Sequence, residues 1–182
     1  NADIKVAAQR IAWGKTLNAG QTCIAPDYLL IHKDRIEEFT NEFAKAVKRL
    51  HGDDIKESKH YVRLVSDKAF ERVIQYIHEG KIVYGGQTDS KERFIEPTLL
   101  SDVALTSKVM TEEIFGPVFP VITIDDNGTI ISPCHSEQSE GSFRNAVIEF
   151  VTSREKPLAF YYFGKEADGW EIIRRTSSGG GC

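Results

Sequence analysis

The stretch Tyr28-Leu29-Leu30-Ile31-His32-Lys33-Asp34-Arg35-Ile36-Glu37-Glu38-Phe39 decides the fold class. Its first four residues form a short apolar run, the pattern of a buried strand. The period then changes at once. Ile36, Phe39, Phe43, Ala46, Val47 and Leu50 recur at helical spacing, which puts one apolar stripe on a helix. Asp34 and Glu37 stand three residues apart at its start and predict a capping box. A buried strand running directly into an amphipathic helix is the unit of an α/β fold.

The same alternation extends in both directions. Upstream, Ile4, Ala7, Ala8 and Ile11 lie on one helical stripe with Val6, Trp13 and Leu17 beside it, ended by Asn18 and Gly20. Downstream, the polar stretch from Gly52 to Tyr61 reads as a loop. A third helix is expected from about Asp67, with Phe70, Val73, Ile74 and Ile77 on one face and Gly80 at its end. Strands are expected at Lys81–Tyr84, stopped by Gly85-Gly86, at Thr98–Leu100 and at Val118–Ile124. Pro120, which has no N–H to donate, predicts an edge or strand-end position for the last of these. Val147, Ile148, Phe150 and Val151 suit a helix, Ala159–Phe163 a buried strand, and roughly 167–175 a final helix. No fixed-period repeat is present. The expected class is α/β with a mostly parallel sheet. The segment 127–144 breaks the pattern: it is polar, rich in Ser and Glu, and reads as an exposed insertion.

Composition limits the function. With 182 residues, 41% hydrophobic and 27% charged, the chain suits one globular domain or a compact piece of a larger one. Its 23 Lys+Arg against 27 Asp+Glu give a net charge of -4. There is no basic block, which argues against nucleic acid as a partner. No apolar run approaches the ~18 residues of a membrane helix, and the start lacks the apolar region of a signal peptide. Three cysteines, Cys23, Cys134 and Cys182, are too few and too odd for a disulfide scaffold. They point to a reducing, cytoplasmic compartment.

Cys23 is the first chemical candidate. A thiolate is a strong nucleophile toward carbonyl carbon, and the small-residue turn Ala19-Gly20-Gln21-Thr22 delivers it. The residue type alone favours the alternative, a buried structural cysteine. A helix C-terminus just before it would disfavour the thiolate. The second candidate is Glu112-Glu113-Ile114-Phe115-Gly116-Pro117. A carboxylate there could bind a sugar diol and the aromatic could wall a flat ring; the alternative is a solvated helix end with a buried Phe. Ser177-Ser178-Gly179-Gly180-Gly181-Cys182 fits no phosphate-binding glycine pattern. Cys134-His135, His32, His51, His60 and His78 show no zinc spacing, so no metal site is expected.

Taken together, the motifs resemble the aldehyde dehydrogenase family, most closely its class 3 and fatty-aldehyde branch. The resemblance rests on Arg10-Ile11-Ala12-Trp13-Gly14-Lys15 and Asn18-Ala19-Gly20-Gln21-Thr22-Cys23-Ile24-Ala25-Pro26-Asp27-Tyr28. Glu96-Pro97-Thr98, Glu112–Val118, Arg154–Ala159 and Ser177–Gly180 follow in family order. It implies a three-layer α/β/α catalytic domain and NAD(P)-dependent oxidation of an aldehyde to a carboxylic acid. Cys23 would be the nucleophile and would carry a thiohemiacetal and then a thioester. Its backbone N–H would form one arm of the oxyanion hole. Glu113 would hold the nicotinamide ribose hydroxyls, and Phe115 would pack near the nicotinamide. The aldehyde is then the substrate, and a homo-oligomer is left open.

The resemblance also implies what the 182 residues do not contain. The dinucleotide-binding domain, the Glu-Leu-Gly-Gly motif with its general base, and the Asn completing the oxyanion hole would precede them. Residues 127–144 would be foreign to the family. The expectation is a partial catalytic domain that binds NAD or NADP weakly and has little or no dehydrogenase activity alone. A residual Cys23 thiol esterase and a non-catalytic interaction remnant are the alternatives.

Overall fold

A computed structural model describes residues 3–126, 129–131, 160–166 and 169–175, the last two ranges as strand backbone. The centre is a four-stranded sheet in the order β1-β6-β5-β2. Its strands are Leu29–His32 (β1), Lys81–Tyr84 (β2), Thr98–Ser101 (β5) and Val118–Ile124 (β6). β6 runs parallel to both β1 and β5, and β2 closes the edge antiparallel to β5. The short pair Thr88–Asp89 (β3) and Phe94–Ile95 (β4) forms a separate hairpin.

Side chains along the central strands leave alternately to the two faces, and each face has its own helical cover. Ile31, Leu99, Phe119 and Val121 join one core with Ile4–Thr16 (α1) and Ile36–His51 (α2). Leu100, Val118 and Ile122 join the other with Asp67–Tyr76 (α3) and Lys108–Thr111 (α4). Leu99 and Leu100 are both fully buried although adjacent, because the sheet is covered on both sides. That is why the strands read as apolar runs and not as an alternation. The result is the expected three-layer α/β arrangement with a mostly parallel sheet.

The helices form for local reasons with tertiary support. The Asp3 side chain accepts from the Val6 N–H at the start of α1, and Ser66 accepts from the Ala69 N–H at the start of α3. Ala7, Ala8 and Ala12 give α1 a low-relief face that lies against Phe39, Phe43, Ala46 and Val47 of α2. Each large apolar side chain so buried contributes roughly 1.5–3 kcal/mol.

The structure corrects four sequence-based expectations. Asp34 does not cap α2: residues Lys33–Arg35 form a 3-10 turn, Asp34 N–H bonds to the His32 ring, and the helix begins at Ile36 with no side-chain cap. On α1, Trp13 and Leu17 are exposed while Lys15 is buried, because the small alanines define the contact face. β6 is an interior strand, not an edge. Pro120 is its last residue in register with β5, and Val121 is its first in register with β1. The missing N–H therefore falls where pairing passes from one neighbour to the other. Residues Gly169–Arg175 (β8) form a strand, not a helix, antiparallel to Phe160–Glu166 (β7). Trp170, Ile172 and Ile173 are residue types that favour a pleated surface, and the ladder runs from Phe160 against Arg175 to Glu166 against Gly169. The expected helix at 147–151 lies outside the described residues. So does most of 127–144, apart from the described residues 129–131, in which Ile130 bridges back to Ile124.

The loop between α2 and α3 is anchored to the hairpin by Tyr61, whose buried hydroxyl donates to the Ile95 carbonyl at 2.8 Å. Tyr61→Phe leaves that carbonyl unpaired in a dry site and is expected to lower stability by about 1–2 kcal/mol. A urea midpoint identical to wild type would contradict this account.

Candidate active site

Three successive residues in the left-handed region, Asn18, Ala19 and Gly20 (φ 51°, 52° and 70°), carry the chain out of α1. Only glycine enters that region without cost, so the turn is held by specific bonds. Asn18 Nδ2 donates to the Gln21 carbonyl and Gln21 Nε2 donates to the Asn18 carbonyl, each at 3.0 Å. The Gln21 amide also reaches across to the α2–α3 loop. Its Nε2 donates to the Arg63 carbonyl at 3.2 Å, and its Oε1 accepts from the Val65 N–H at 2.9 Å. Cys23 follows immediately as a free, exposed thiol. Among the described residues nothing accepts a hydrogen bond from the Cys23 backbone N–H.

The second candidate lies directly against this turn. A Cβ placed on Gly20 would stand 2.3 Å from the Gly116 carbonyl oxygen. The two loops touch backbone to backbone, and no side chain larger than hydrogen fits between them. Gly116 is packed from behind as well, since a Cβ there would meet both Val73 methyls at 2.8 Å. Glu113 and Phe115 project from this loop with exposed side chains. Phe115 has φ 43°, a strained conformation for an aromatic residue and one that clusters at functional sites.

Arg72 holds that strain. From α3 its Nη1 donates to the Glu113 carbonyl at 3.1 Å, and its Nη2 donates to the Ile114 carbonyl at 2.8 Å and the Phe115 carbonyl at 3.5 Å. Its Nη1 also donates to the Tyr76 hydroxyl, which in turn donates to Glu112 at 2.8 Å. Lys15 and Asp27, which flank the Cys23 turn in sequence, feel each other's charge. Lys15 is 1% exposed, and its Nζ is buried without a hydrogen-bond partner. Burial pulls its pKa down to about 8, an effect that the Asp27 charge opposes. Burial raises the Asp27 carboxyl. The Lys15 charge draws it down, Glu113 pushes it up, and a bond from the Ile114 backbone N–H draws it down again.

Cys23, Glu113 and Phe115, the residues singled out in the sequence, thus stand on two touching loops. His32 instead bonds to Asp126, and His51 packs edge-on against Tyr61; neither contact involves the Cys23 turn. Cys134, His135, Cys182 and the glycines at 179–181 lie outside the described residues. Gln21, Arg72, Asp27 and Lys15 were missed as site residues. Lys15 had a usable signal, because Ile4, Ala8, Ile11 and Lys15 fall on one helical line. Arg72 had none, since its acceptors lie 41–43 residues away.

The architecture is a three-layer α/β domain in which a left-handed turn after the first helix, just before a cysteine, packs against a carboxylate-bearing loop. Comparison with known proteins gives that class its family. The model of the aldehyde dehydrogenase family matches residues 1–137, and the chain belongs to that family. It is 40% identical over 181 residues to the dimeric NADP-preferring aldehyde dehydrogenase of Mus musculus, covering 99% of this chain and 36% of that protein. A substrate-bound structure of Staphylococcus aureus AldH is similar at 41% identity with a TM-score of 0.66, over 70% of this chain and 28% of that one. An aldehyde dehydrogenase from Mycobacterium tuberculosis, complexed with NAD+, is similar at 28% identity with a TM-score of 0.59, over 70% of this chain and 29% of that one. The chain spans about a third of the length of most of the curated relatives it matches. Among the described residues no helix is long and apolar enough to cross a membrane.

Proposed function

We propose that these residues form the nucleophile half of an NAD(P)-dependent aldehyde dehydrogenase, with Cys23 as the catalytic nucleophile and Glu113 and Phe115 as the cofactor-facing pair. The observation that carries this reading is the close backbone approach of Gly20 to Gly116, which sets the turn that bears an exposed thiol against the loop that bears an exposed carboxylate and a strained aromatic. The Cys23 sulfur would add to the aldehyde carbon to form a thiohemiacetal, and the Cys23 N–H, which has no acceptor among the described residues, would face the developing oxyanion. A bound nicotinamide supplies the hydride acceptor, and the thioester left on Cys23 is released by water as the carboxylic acid. Glu113 fits the cofactor chemically: an exposed carboxylate offers paired acceptors to a diol, and a half-exposed Phe115 ring offers a flat wall. NAD and NADP both satisfy this pair. Residues 127–144 are proposed as an insertion foreign to the family fold, and the free thiol suits a reducing, cytoplasmic setting.

For the 182 residues by themselves the proposal is Cys23 acyl chemistry without sustained aldehyde turnover. An exposed thiol favours slow cleavage of activated esters as the accessible half-reaction. The test is thiol labelling across about pH 5 to 9, resolved by site, together with nucleotide binding. Cys23 is expected to label fastest of the three cysteines, Cys23→Ala to remove ester cleavage, and Glu113→Gln to weaken NAD(P) binding without slowing Cys23 labelling. Ester cleavage that survives Cys23→Ala refutes the nucleophile. NAD(P) affinity unchanged in Glu113→Gln refutes the cofactor role.

A further inference from the structure

We propose that Gln21 is a positioning residue for the nucleophile: its side-chain amide ties the turn that carries Cys23 to the loop between α2 and α3, and so sets the direction of the Cys23 backbone N–H. This rests on the reading of Cys23 given above.

The nucleophile turn has little of its own to hold it. Beyond the left-handed residues Asn18, Ala19 and Gly20, the Ala25 N–H bonds back to the Thr22 carbonyl at 3.1 Å, which puts Cys23 and Ile24 at the tip of a four-residue turn. Both tip residues are exposed, so burial does little to fix them. The Thr22 hydroxyl beside them is buried without a hydrogen-bond partner and adds no tie. Gln21 stands at the root of this tip and is only 7% exposed.

The Gln21 amide is fully used. A side-chain amide offers two N–H donors and one carbonyl acceptor. Nε2 donates to the Asn18 carbonyl at 3.0 Å and to the Arg63 carbonyl at 3.2 Å, while Oε1 accepts from the Val65 N–H at 2.9 Å. One amide thus grips its own turn and both residues that flank Leu64. A flipped amide would set its oxygen against two carbonyls and its NH2 against an N–H, so one orientation alone is satisfied.

The far side is anchored independently of Gln21. The Leu64 N–H donates to the Arg93 carbonyl at 3.0 Å, and Arg93 Nε donates to the Leu64 carbonyl at 3.1 Å. Arg63 Nη2 donates to the Lys56 carbonyl at 2.7 Å and to Glu92 at 3.0 Å, with its guanidinium 4.9 Å from the centroid of the Phe94 ring. Residues 63–65 are therefore a fixed support, and the amide carries that support to a point two residues before the nucleophile. During acyl transfer the Cys23 N–H must face the developing oxyanion, and a small displacement of such a donor lowers the rate steeply.

The test compares two reactions of the same thiol in the 182-residue chain, each read at Cys23 by mass spectrometry. In acylation by p-nitrophenyl acetate the sulfur adds to the carbonyl carbon, an oxyanion develops, and p-nitrophenolate leaves. Alkylation by iodoacetamide displaces iodide and develops no oxyanion. Gln21→Met keeps the length of the side chain and loses all three of its bonds. It is expected to lower the ratio of acylation to alkylation by about tenfold, less than the roughly 10²–10³ for removing an oxyanion donor outright. The pH midpoint of alkylation should stay at its wild-type value. Val47→Ala, on α2 and outside the Gln21 bonds, lowers stability and should leave the ratio alone. A ratio unchanged in Gln21→Met overturns the proposal, and so does an equal fall in Val47→Ala. Where Gln21→Met fails to fold, wild type decides. The Gln21 side-chain amide protons and the Val65 N–H should exchange at least about tenfold more slowly than the side-chain amide of Gln75, which is exposed; exchange as fast as at Gln75 overturns the tie. Ester cleavage that survives Cys23→Ala removes the nucleophile reading and this proposal with it. Cleavage that needs Cys23 but ignores Gln21→Met removes this proposal alone.

Discussion

Gly20→Ala is expected to lower stability by about 2–4 kcal/mol and to part the Cys23 turn from the Glu113 loop. Two costs combine. Gly20 sits at φ 70°, where an L residue with a Cβ loses roughly 1 kcal/mol or more. The new methyl would also stand 2.3 Å from the Gly116 carbonyl oxygen and 2.7 Å from its carbon, with the Lys15 carbonyl at 3.2 Å. All three neighbours are backbone, so no rotamer change relieves the contact, and overpacking of that kind typically costs 1–3 kcal/mol. Gly52→Ala is the internal control. Gly52 has φ 89° with nothing within 4 Å of its added Cβ, so it should carry the conformational cost alone. Equal urea midpoints for the two variants would show that the Gly20–Gly116 contact has no energetic weight.

Arg72→Met is expected to cost about 2–3 kcal/mol and to release Phe115 from its strained backbone. The guanidinium makes charge-assisted bonds to three consecutive carbonyls of one loop and a fourth bond to Tyr76. Such bonds contribute about 1.5–3 kcal/mol each when dry, less when partly solvated as here. Methionine keeps the length and apolar contact of the stem, so the loss isolates the fork. Arg72→Lys should recover little, because a point-like ammonium cannot span carbonyls that a planar fork reaches together. The Phe115 ring resonance should shift toward that of an unstructured phenylalanine in both variants. Full stability in Arg72→Lys would contradict the geometric argument.

The two chemical centres were legible for a specific reason. Both are short runs whose residue types are unusual together: small residues and an amide before Cys23, and two acids, an aromatic and Gly-Pro around Glu113. Their order along the chain carries the family resemblance. The alternation of β1, α2, α3 and β2 was legible too, since buried strands and amphipathic helices impose different periods. The failures share a cause. Asp34 had the right residue type for a cap, but the chain made a 3-10 turn first and gave the His32 ring to the Asp34 N–H. Gly169–Arg175 carried enough charged residues to look helical, yet β7 offered it a partner. Pro120 is barred from an interior ladder as a rule, but here it stands at the hand-over between two neighbours.

Sequence by itself determined the α/β class, the nucleophile candidate and its glycine turn, because these depend on spacing and residue type within a few positions. Tertiary structure alone decided that Gly20 meets Gly116, that Arg72 grips a loop some 40 residues away, and that the Lys15 ammonium stands over the Phe119 ring. Those facts are contacts between distant segments, created when α1 and α3 close on opposite faces of one sheet, and no local pattern encodes a partner that far along the chain.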